Sequence, residues 1–272
     1  RLVGSEMCIR DSIQGNTKTL TKNESYWDKD CKLFDTVTIK LIEDLTVGYS
    51  LYDTGEIDTI DLAEANLRAI YEDENNQYHD YLTEKLPKKF SYQMKFNYAQ
   101  KNEDGSDDTN WNTAIANEAF RQSIYYGLDL TKTYERANMI NPLSCENTAY
   151  TMKGLVYFSD GTEYVDRVEE LIELPESNGK KMRRLDKEKA EELKKQAIEE
   201  LSAKGVKFPV EMDYYIPAGS QLALDGATVL QENFAECLGD DYIKLNIGTY
   251  VSSPTQEVID PSLHSVVMNG WG

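Results

Sequence analysis

The chain has 272 residues, of which 40% are hydrophobic and 10% aromatic, and its formal net charge is −19. This length and apolar content argue against global disorder and favour two folding units. The negative charge repels phosphate backbones, and no apolar stretch reaches the roughly 20 residues that span a bilayer, so nucleic-acid binding and a membrane-spanning role are disfavoured.

Residues 1–12 are expected to lie outside the protein proper. Met7–Ser12 resembles the in-frame translation of a sequencing-library adapter, and Arg1–Glu6 fits the nucleotides upstream of it. A natural N-terminal tail is the alternative. Because the chain stops at Gly272 without a polar tail, we expect an internal fragment of a longer protein.

The cysteines and histidines form no pattern that binds metal. Cys8, Cys31, Cys145 and Cys237 lie far apart without C-x-x-C spacing, and both histidines lack partners at ligand spacing. The sequence therefore predicts no metal site, no cofactor and no disulfide framework. It also shows no nucleophile triad, so we expect no catalytic residue.

The first elements predict a strand–helix–strand unit. Asp35–Ile42 alternates apolar and polar residues, and the helix that follows is expected to begin after Asp44 and to end at Gly55. Ile57–Leu62 is predicted as a second strand, parallel to the first because the connections are short. A further helix is predicted over Ala63–Tyr71.

A long connector separates the next strand and helix. Phe90–Tyr98 alternates as a strand, and Ala99–Asn110 is polar and rich in turn residues. The acidic residues of this connector do not follow the order of a calcium-binding loop, so a solvated loop is preferred. A single helix is predicted over Thr113–Tyr126, with Asn112 as its cap.

Strands and helices alternate through the second half of the chain. Periodicity is weak over Asn141–Arg184, after which Asp186 is expected to cap a helix over Lys187–Lys204. This alternation predicts an α/β sheet. The other predicted elements are helices at Leu130–Ala137, Ser220–Leu238 and Pro254–Val258 and strands at Phe208–Ile216, Tyr242–Tyr250 and His264–Asn269.

Six short motifs occur in order along residues 13–272, and together they resemble one family. They are Asn23 with Tyr26-Trp27-Asp28, then Gly55-Glu56-Ile57-Asp58, Phe96-Asn97, Asn117–Asp129, Asp186 with Ala190 and Leu193, and Gly270-Trp271-Gly272. The sequence is similar to the extracytoplasmic solute-binding proteins of oligopeptide ABC transporters, a family that also binds dipeptides and nickel complexes.

The resemblance implies an α/β fold of the two-lobe, periplasmic-binding-protein type II architecture. Residues 13–97 would form the latter part of lobe I and residues 98–272 the first part of lobe II, so both lobes are expected to be incomplete. Within this scaffold, Trp27 is expected to be a core or strand-edge aromatic residue, and Arg121 to pair with an acidic neighbour.

The function implied by the resemblance is binding without catalysis. The protein would enclose extracellular oligopeptides between its lobes and deliver them to an ABC permease. It would act in the periplasm or as a surface lipoprotein, contacting the membrane only through a lipid anchor. The alternatives are a peptide-sensing or adhesive surface lipoprotein and a hydrolase that uses paired carboxylates.

Alignment on the family motifs also implies ligand contacts at strand ends and loops. The sequence departs from the family pattern at two of these places. In the family, the acidic residue that binds the peptide α-amine lies a few positions after the tryptophan, but this chain ends one residue after Trp271. Some relatives have Tyr and Asn where this chain has Asp61 and Leu62. The implied ligand-binding residues are Asp61, Leu62, Ala63, Ser91, Tyr92, Gln93, Gln221 and Trp271.

Overall fold

The computed structural model describes residues 8–28, 30, 34–42, 45–83, 90–172 and 184–271; at 8–14, 45, 64 and 271 only the backbone is described. The chain forms two compact units, Arg1–Thr83 and Glu84–Gly272. This division differs from the lobe boundary expected between residues 97 and 98, because the strand near residue 95 pairs inside the second unit. The assignment of the units to lobes stays a prediction.

An antiparallel three-stranded sheet begins the first unit. Strand β1 (Cys8–Gln14) pairs with β2 (Thr17–Lys22), and β2 pairs with β3 (Thr36–Lys40). Only β3 is predicted by the sequence, since all six residues of β2 are half-buried and the strand has no apolar face to give a period of two. Part of β1 lies in the expected adapter segment, and that expectation stays a prediction.

Helices α1 (Leu45–Asp53) and α2 (Glu64–Glu72) confirm the two predicted helices of this unit. Gly55 ends α1 at φ +73°, and the N–H groups of Gly55 and Glu56 donate to the carbonyls of Tyr52 and Leu51. This is the hydrogen-bond pattern of a Schellman cap, for which glycine is preferred. The predicted cap Asp44 lies outside the described residues.

The predicted strand at Ile57–Leu62 was wrong, and so was its parallel pairing. Residues 57–62 form no strand in the described structure, in which β3 pairs with β2 alone. Ile60 instead packs so closely on Gly48 of α1 that a Cβ at position 48 would collide with it. Ile60 therefore packs against the helix rather than in a sheet.

The second unit is built on a mixed four-stranded sheet. Its spatial order is β4 (Ser91–Phe96), β7 (Val266–Trp271), β5 (Val210–Pro217) and β6 (Ile243–Tyr250). β5 and β6 are parallel and are connected by helix α8 (Gln221–Leu238), whereas β4 and β7 are antiparallel. All four strands occur where the sequence predicts them, which confirms the α/β class.

Side-chain caps begin two of the long helices in this unit, and one of them, Asp186, is a cap that the sequence predicts. Asp186 accepts a hydrogen bond from the N–H of Lys189, and Ser220 accepts one from the N–H of Ala223 at the start of α8. The remaining helices are α3 (Thr109–Ala116), α4 (Glu118–Gly127), α5 (Thr131–Glu135), α6 (Tyr164–Leu171) and α7 (Lys187–Ser202), with a 3₁₀ turn at Pro142–Cys145 and a π turn at Thr255–Ile259.

The single helix predicted over Thr113–Tyr126 is in fact two helices, α3 and α4. Asn117 interrupts them with extended backbone angles and caps α4 by accepting a hydrogen bond from the N–H of Phe120 at 2.8 Å. Asp108, not Asn112, caps α3. The break lets Trp111 and Phe120 both turn into the core, where each is at most 1% exposed.

Two further expectations about scaffold residues were wrong. Trp27 is 74% exposed, and its ring contacts that of Tyr26 instead of a core. Arg121 donates a hydrogen bond from Nη1 to the carbonyl of Ile115 at 2.7 Å and lies over the ring of Tyr98. A backbone carbonyl and an aromatic face thus take the place of the expected carboxylate.

A buried polar cluster fixes the place where β7 meets β5. Gln100 donates to the Asp213 carboxylate at 2.7 Å, and Ser265 donates to the Gln100 side-chain carbonyl at 2.6 Å. The N–H of Asp213 then donates to the Ser265 hydroxyl at 2.7 Å. Beyond this cluster β7 pairs with β5 only at Tyr214 and Val266, whereas its opposite edge pairs with β4 along all six residues.

Glu257 closes the turn that follows β6. Its carboxylate accepts hydrogen bonds from the N–H groups of Val251, Ser252 and Ser253, each at 2.8 Å. These backbone bonds stabilise the charged form and lower the pKa of Glu257 from 4.5 to about 2.

We expect Asn117→Ala to lower the free energy of unfolding by about 1–2 kcal/mol, because α4 loses its cap and Glu200 loses a hydrogen bond from Asn117 Nδ2. Asn117→Ser retains a capping oxygen and should lose less. Urea unfolding of both variants measures the difference. Equal stability of the two would contradict the role of the cap.

We expect Glu257→Gln to lower the melting temperature at neutral pH, since an amide accepts backbone bonds more weakly than a carboxylate. The folded pKa lies below the unfolded one, so this stabilisation is full above about pH 4.5 and is lost as the pH falls towards 2. Melting curves across this range test it, with the exposed Glu199→Gln as control. A gap between wild type and variant that is independent of pH would refute the assignment.

Candidate functional site

The eight residues predicted to contact a ligand lie in both units. In the first unit, Asp61 is exposed, Leu62 is half-buried, and Ala63 precedes α2, where its carbonyl accepts from the N–H of Leu67 at 2.9 Å. Ala63 therefore begins a helix. The remaining five lie in the second unit: Ser91, Tyr92, Gln93, Gln221 and Trp271.

The pairing of β4 with β7 brings four of these residues to one end of a ladder. Ser91 lies opposite Trp271 and Tyr92 opposite Gly270, and Gln93 follows on β4. A Cβ on Gly270 would lie 3.2 Å from the Tyr92 ring, so the missing side chain lets that ring lie close to β7. Tyr92 itself is 65% exposed.

A cavity of about 750 Å³ lies beside β4 in the second unit. This volume is within the range of small-molecule sites, about 300–1,000 Å³. Two parts of the chain line it, β4 with the residues just after it and the loop 147–150. The lining residues are Gln93, Met94, Lys95, Phe96, Tyr98, Asn147, Thr148, Ala149 and Tyr150.

Ser91 joins the two walls of the cavity. It is 4% exposed, and its hydroxyl donates to the carbonyl of Tyr150 at 2.7 Å. Alternation along β4 puts Ser91, Gln93 and Lys95 on one face, and the core packs against the other face at Met94 and Phe96. Ser91 thus has a structural contact, and Gln93 is the predicted residue that lines the cavity itself.

Two of the lining residues carry side-chain amides, Gln93 and Asn147. The Gln93 Nε2 atom is buried and has no hydrogen-bond partner. The Asn147 Oδ1 atom accepts from the N–H of Ala149 at 3.1 Å, which leaves the NH₂ group of Asn147 for other partners. Both amides lie among the lining residues.

A buried carboxylate supports the loop wall from behind. Glu169 on α6 is 7% exposed and accepts a hydrogen bond from the Thr148 hydroxyl at 2.8 Å. The Lys153 ammonium lies 3.6 Å from the other carboxylate oxygen. No sequence signal predicts that the loop 147–150 lines a cavity, because it falls in the segment 141–184, where neither periodicity nor a motif occurs.

Gln221 lies apart from the cavity lining. It is the exposed first residue of α8, and its Nε2 atom donates to Asp225 Oδ1 one turn later at 2.7 Å. This is an ordinary i, i+4 contact along a helix. Its proposed ligand contact stays a prediction.

Across the described ranges, no group of three or more His, Cys, Asp or Glu side chains could hold a metal ion. None of the helices formed there is long and apolar enough to cross a bilayer.

Comparison with known sequences identifies one family. The model described as "Bacterial extracellular solute-binding proteins, family 5 Middle" matches residues 10–272. No curated protein matches the sequence.

Several solved structures have a similar fold. One is an oligopeptide ABC transporter (substrate-binding domain) from Bacillus anthracis str. Ames, which is 18% identical and has a TM-score of 0.58. The match covers 97% of this chain and 45% of that one. The Escherichia coli murein tripeptide binding protein MppA is 16% identical with a TM-score of 0.55, at coverages of 97% and 44%. NikA from Brucella suis, in complex with Fe(III)-EDTA, is 14% identical with a TM-score of 0.57, at coverages of 98% and 48%.

These comparisons concern the fold, and this chain spans less than half the length of each of the three proteins. The similarity extends over both units, and the relatives are two-lobe binding proteins, as the sequence predicts.

We expect Ser91→Ala to lower the free energy of unfolding by about 1 kcal/mol and to speed amide hydrogen exchange in residues 147–150, because the two cavity walls lose their direct bond. Ser144→Ala is the control, since Ser144 donates to the carbonyl of Asn141 but is exposed. Equal exchange of 147–150 in both variants would contradict the anchoring role.

Proposed function

The chain belongs to the bacterial extracellular solute-binding proteins of family 5, and we propose that it binds oligopeptides and delivers them to an ABC permease. The protein acts outside the cytoplasm, at the cell surface or in the periplasm. It carries out no chemistry on its ligand.

The observation that carries this proposal is the cavity beside β4. β4 is the edge strand of the described sheet, and the cavity runs along Gln93–Phe96. An extended peptide can add to such an edge through main-chain hydrogen bonds, which do not depend on the peptide's sequence. Tyr92, which is exposed at the end of the same ladder, is then positioned to contact a side chain of the peptide, and the contact predicted for Trp271 belongs to the same proposal.

The lining residues favour binding over catalysis. Among the nine described residues that line the cavity, none is His, Cys, Asp or Glu, the side chains that most often act as nucleophile, acid or base. A carboxylate-dependent hydrolase would need two carboxyl groups facing its substrate. The amides, hydroxyls and aromatic rings here are typical of a site that recognises without reacting.

The titles of the similar structures suggest the test ligands. One names an oligopeptide ABC transporter, one a murein tripeptide and one Fe(III)-EDTA. Peptide is preferred here because an edge strand along the cavity suits an extended main chain and offers nothing particular to a metal chelate. Contacts of peptide with Asp61, Leu62, Ala63 and Gln221 belong to the same proposal.

We expect isothermal titration to detect binding of tetra-alanine and not of Fe(III)-EDTA. Tetra-alanine methylated on alternate backbone nitrogens should bind at least about tenfold more weakly, because it cannot complete a strand pairing. Gln93→Ala should weaken binding of the unmodified peptide roughly tenfold, because it removes a polar side chain that lines the cavity.

The exposed Gln256→Ala provides the matched control and should bind tetra-alanine as the wild type does. Binding of Fe(III)-EDTA without binding of peptide would refute the proposal. Delivery to a permease is tested separately, as uptake of labelled tetra-alanine that is lost when the gene is deleted.

A further inference from the structure

The exposed aromatic residues of the cavity beside β4 narrow the class of peptide that it takes. We infer that the cavity receives a large apolar side chain of the peptide, above all an aromatic one, and that Tyr98 and Tyr150 make this contact. The inference rests on the proposed function, because it concerns a ligand bound in the same cavity.

The first reason is that each wall of the cavity carries an accessible tyrosine. Tyr98 follows β4 and is 54% exposed, and Tyr150 ends the loop 147–150 and is 77% exposed. A tyrosine offers a large contact area and loses little conformational entropy when a ligand covers it. Covering both rings with an apolar group removes apolar surface from water, which favours binding.

The second reason is that Tyr98 is positioned before a ligand arrives. The N–H of the preceding residue, Asn97, donates to the carbonyl of Ser265 at 2.8 Å, and its carbonyl accepts from the Trp111 indole at 2.7 Å. The Arg121 guanidinium lies over the Tyr98 ring, 5.8 Å from its centroid. Because these contacts already restrict the residue, binding costs less ordering of the protein.

The backbone of Tyr150 is also held in place. Its carbonyl accepts the Ser91 hydroxyl at 2.7 Å, and Thr148, two residues earlier, donates to the buried Glu169 at 2.8 Å. These bonds anchor the end of the loop and leave the Tyr150 side chain exposed. A loop that is fixed from behind and presents an aromatic side chain is suited to contact a ligand.

The third reason is that the lining favours a neutral, apolar group over a charged one. Met94, Phe96 and Ala149 are also among the nine described lining residues, and none of the nine carries a carboxylate. A cationic side chain of the ligand would lose water there without gaining an ion pair. An acidic side chain would approach a molecule whose net charge is −19. A hydrocarbon or aromatic side chain avoids both costs.

The experiment titrates the 272-residue chain with tetra-alanine and with versions that carry Phe, Leu, Glu or Lys at each position in turn. We expect Phe at one position to raise the affinity at least about tenfold over tetra-alanine, Leu to raise it less, and Glu and Lys to give no gain there. Tyrosine rings also attract cations, so a gain with Lys that exceeds the gain with Phe would reveal a cation site and overturn the inference.

Tyr98→Ala and Tyr150→Ala should each lower the ratio of the two affinities, Phe peptide to tetra-alanine, by about threefold or more, since each removes one ring. Tyr150→Phe keeps the ring and should keep the ratio. Tyr81→Ala is the matched control, because Tyr81 is 78% exposed in the first unit and is not among the lining residues. It should leave the ratio unchanged, and melting curves check that every variant folds.

The other outcomes count against the inference. If tetra-alanine binds but Phe gives no gain at any position, the inference is overturned and the proposed function stands. A gain that survives either alanine substitution in the cavity, or that Tyr81→Ala reduces equally, shows that the preference arises elsewhere and overturns it too. If neither tetra-alanine nor any substituted peptide binds the wild type, the proposed function fails, and the inference fails with it.

Discussion

The attachment of β7 to β5 is the constraint on which the second unit's candidate site depends. Within the described sheet, β4 reaches the other strands only through β7, and β7 touches β5 only near Val266. Gln100, Asp213 and Ser265 hold this junction through hydrogen bonds of 2.6–2.7 Å. Because Gln100 and Ser265 are almost fully buried, losing one partner would leave polar groups without water, which makes the arrangement specific.

The opposite wall of the cavity depends on a few side chains rather than on regular structure. The loop 147–150 is held at Tyr150 by Ser91 and at Thr148 by Glu169. A buried carboxylate is tolerated there because it has a hydroxyl donor and a nearby ammonium. The result is common among binding proteins: irregular chain lines the site, and rigid elements position it.

The electrostatics of the molecule act on two scales. The net charge of −19 repels polyanions at long range. The cavity differs locally from this surface, since its nine described lining residues include one lysine and no carboxylate. Composition alone therefore says little about the ligand, because the chemistry of one cavity can be opposite to that of the whole surface.

The sequence determined the elements whose signals are local. Strands β3, β4, β5, β6 and β7 were all predicted, the cap Asp186 marked the start of its helix, and Gly55 marked the end of another. Ordered motifs also identified the family, and with it the two-lobe class of fold. Each of these signals lies within a few residues of chain, where backbone sterics and hydrogen bonding decide the outcome.

Only the tertiary structure decided what depends on partners distant in the chain. Ile57–Leu62 has the composition of a strand but packs on Gly48, and Asn117 divides a helix so that two aromatic residues reach one core. The loop 147–150 became a cavity wall through Ser91, 59 positions before Tyr150 in the sequence. Residues that meet only after folding leave no local pattern. The family resemblance could therefore name Gln93, which lines the cavity, but not the loop that completes it.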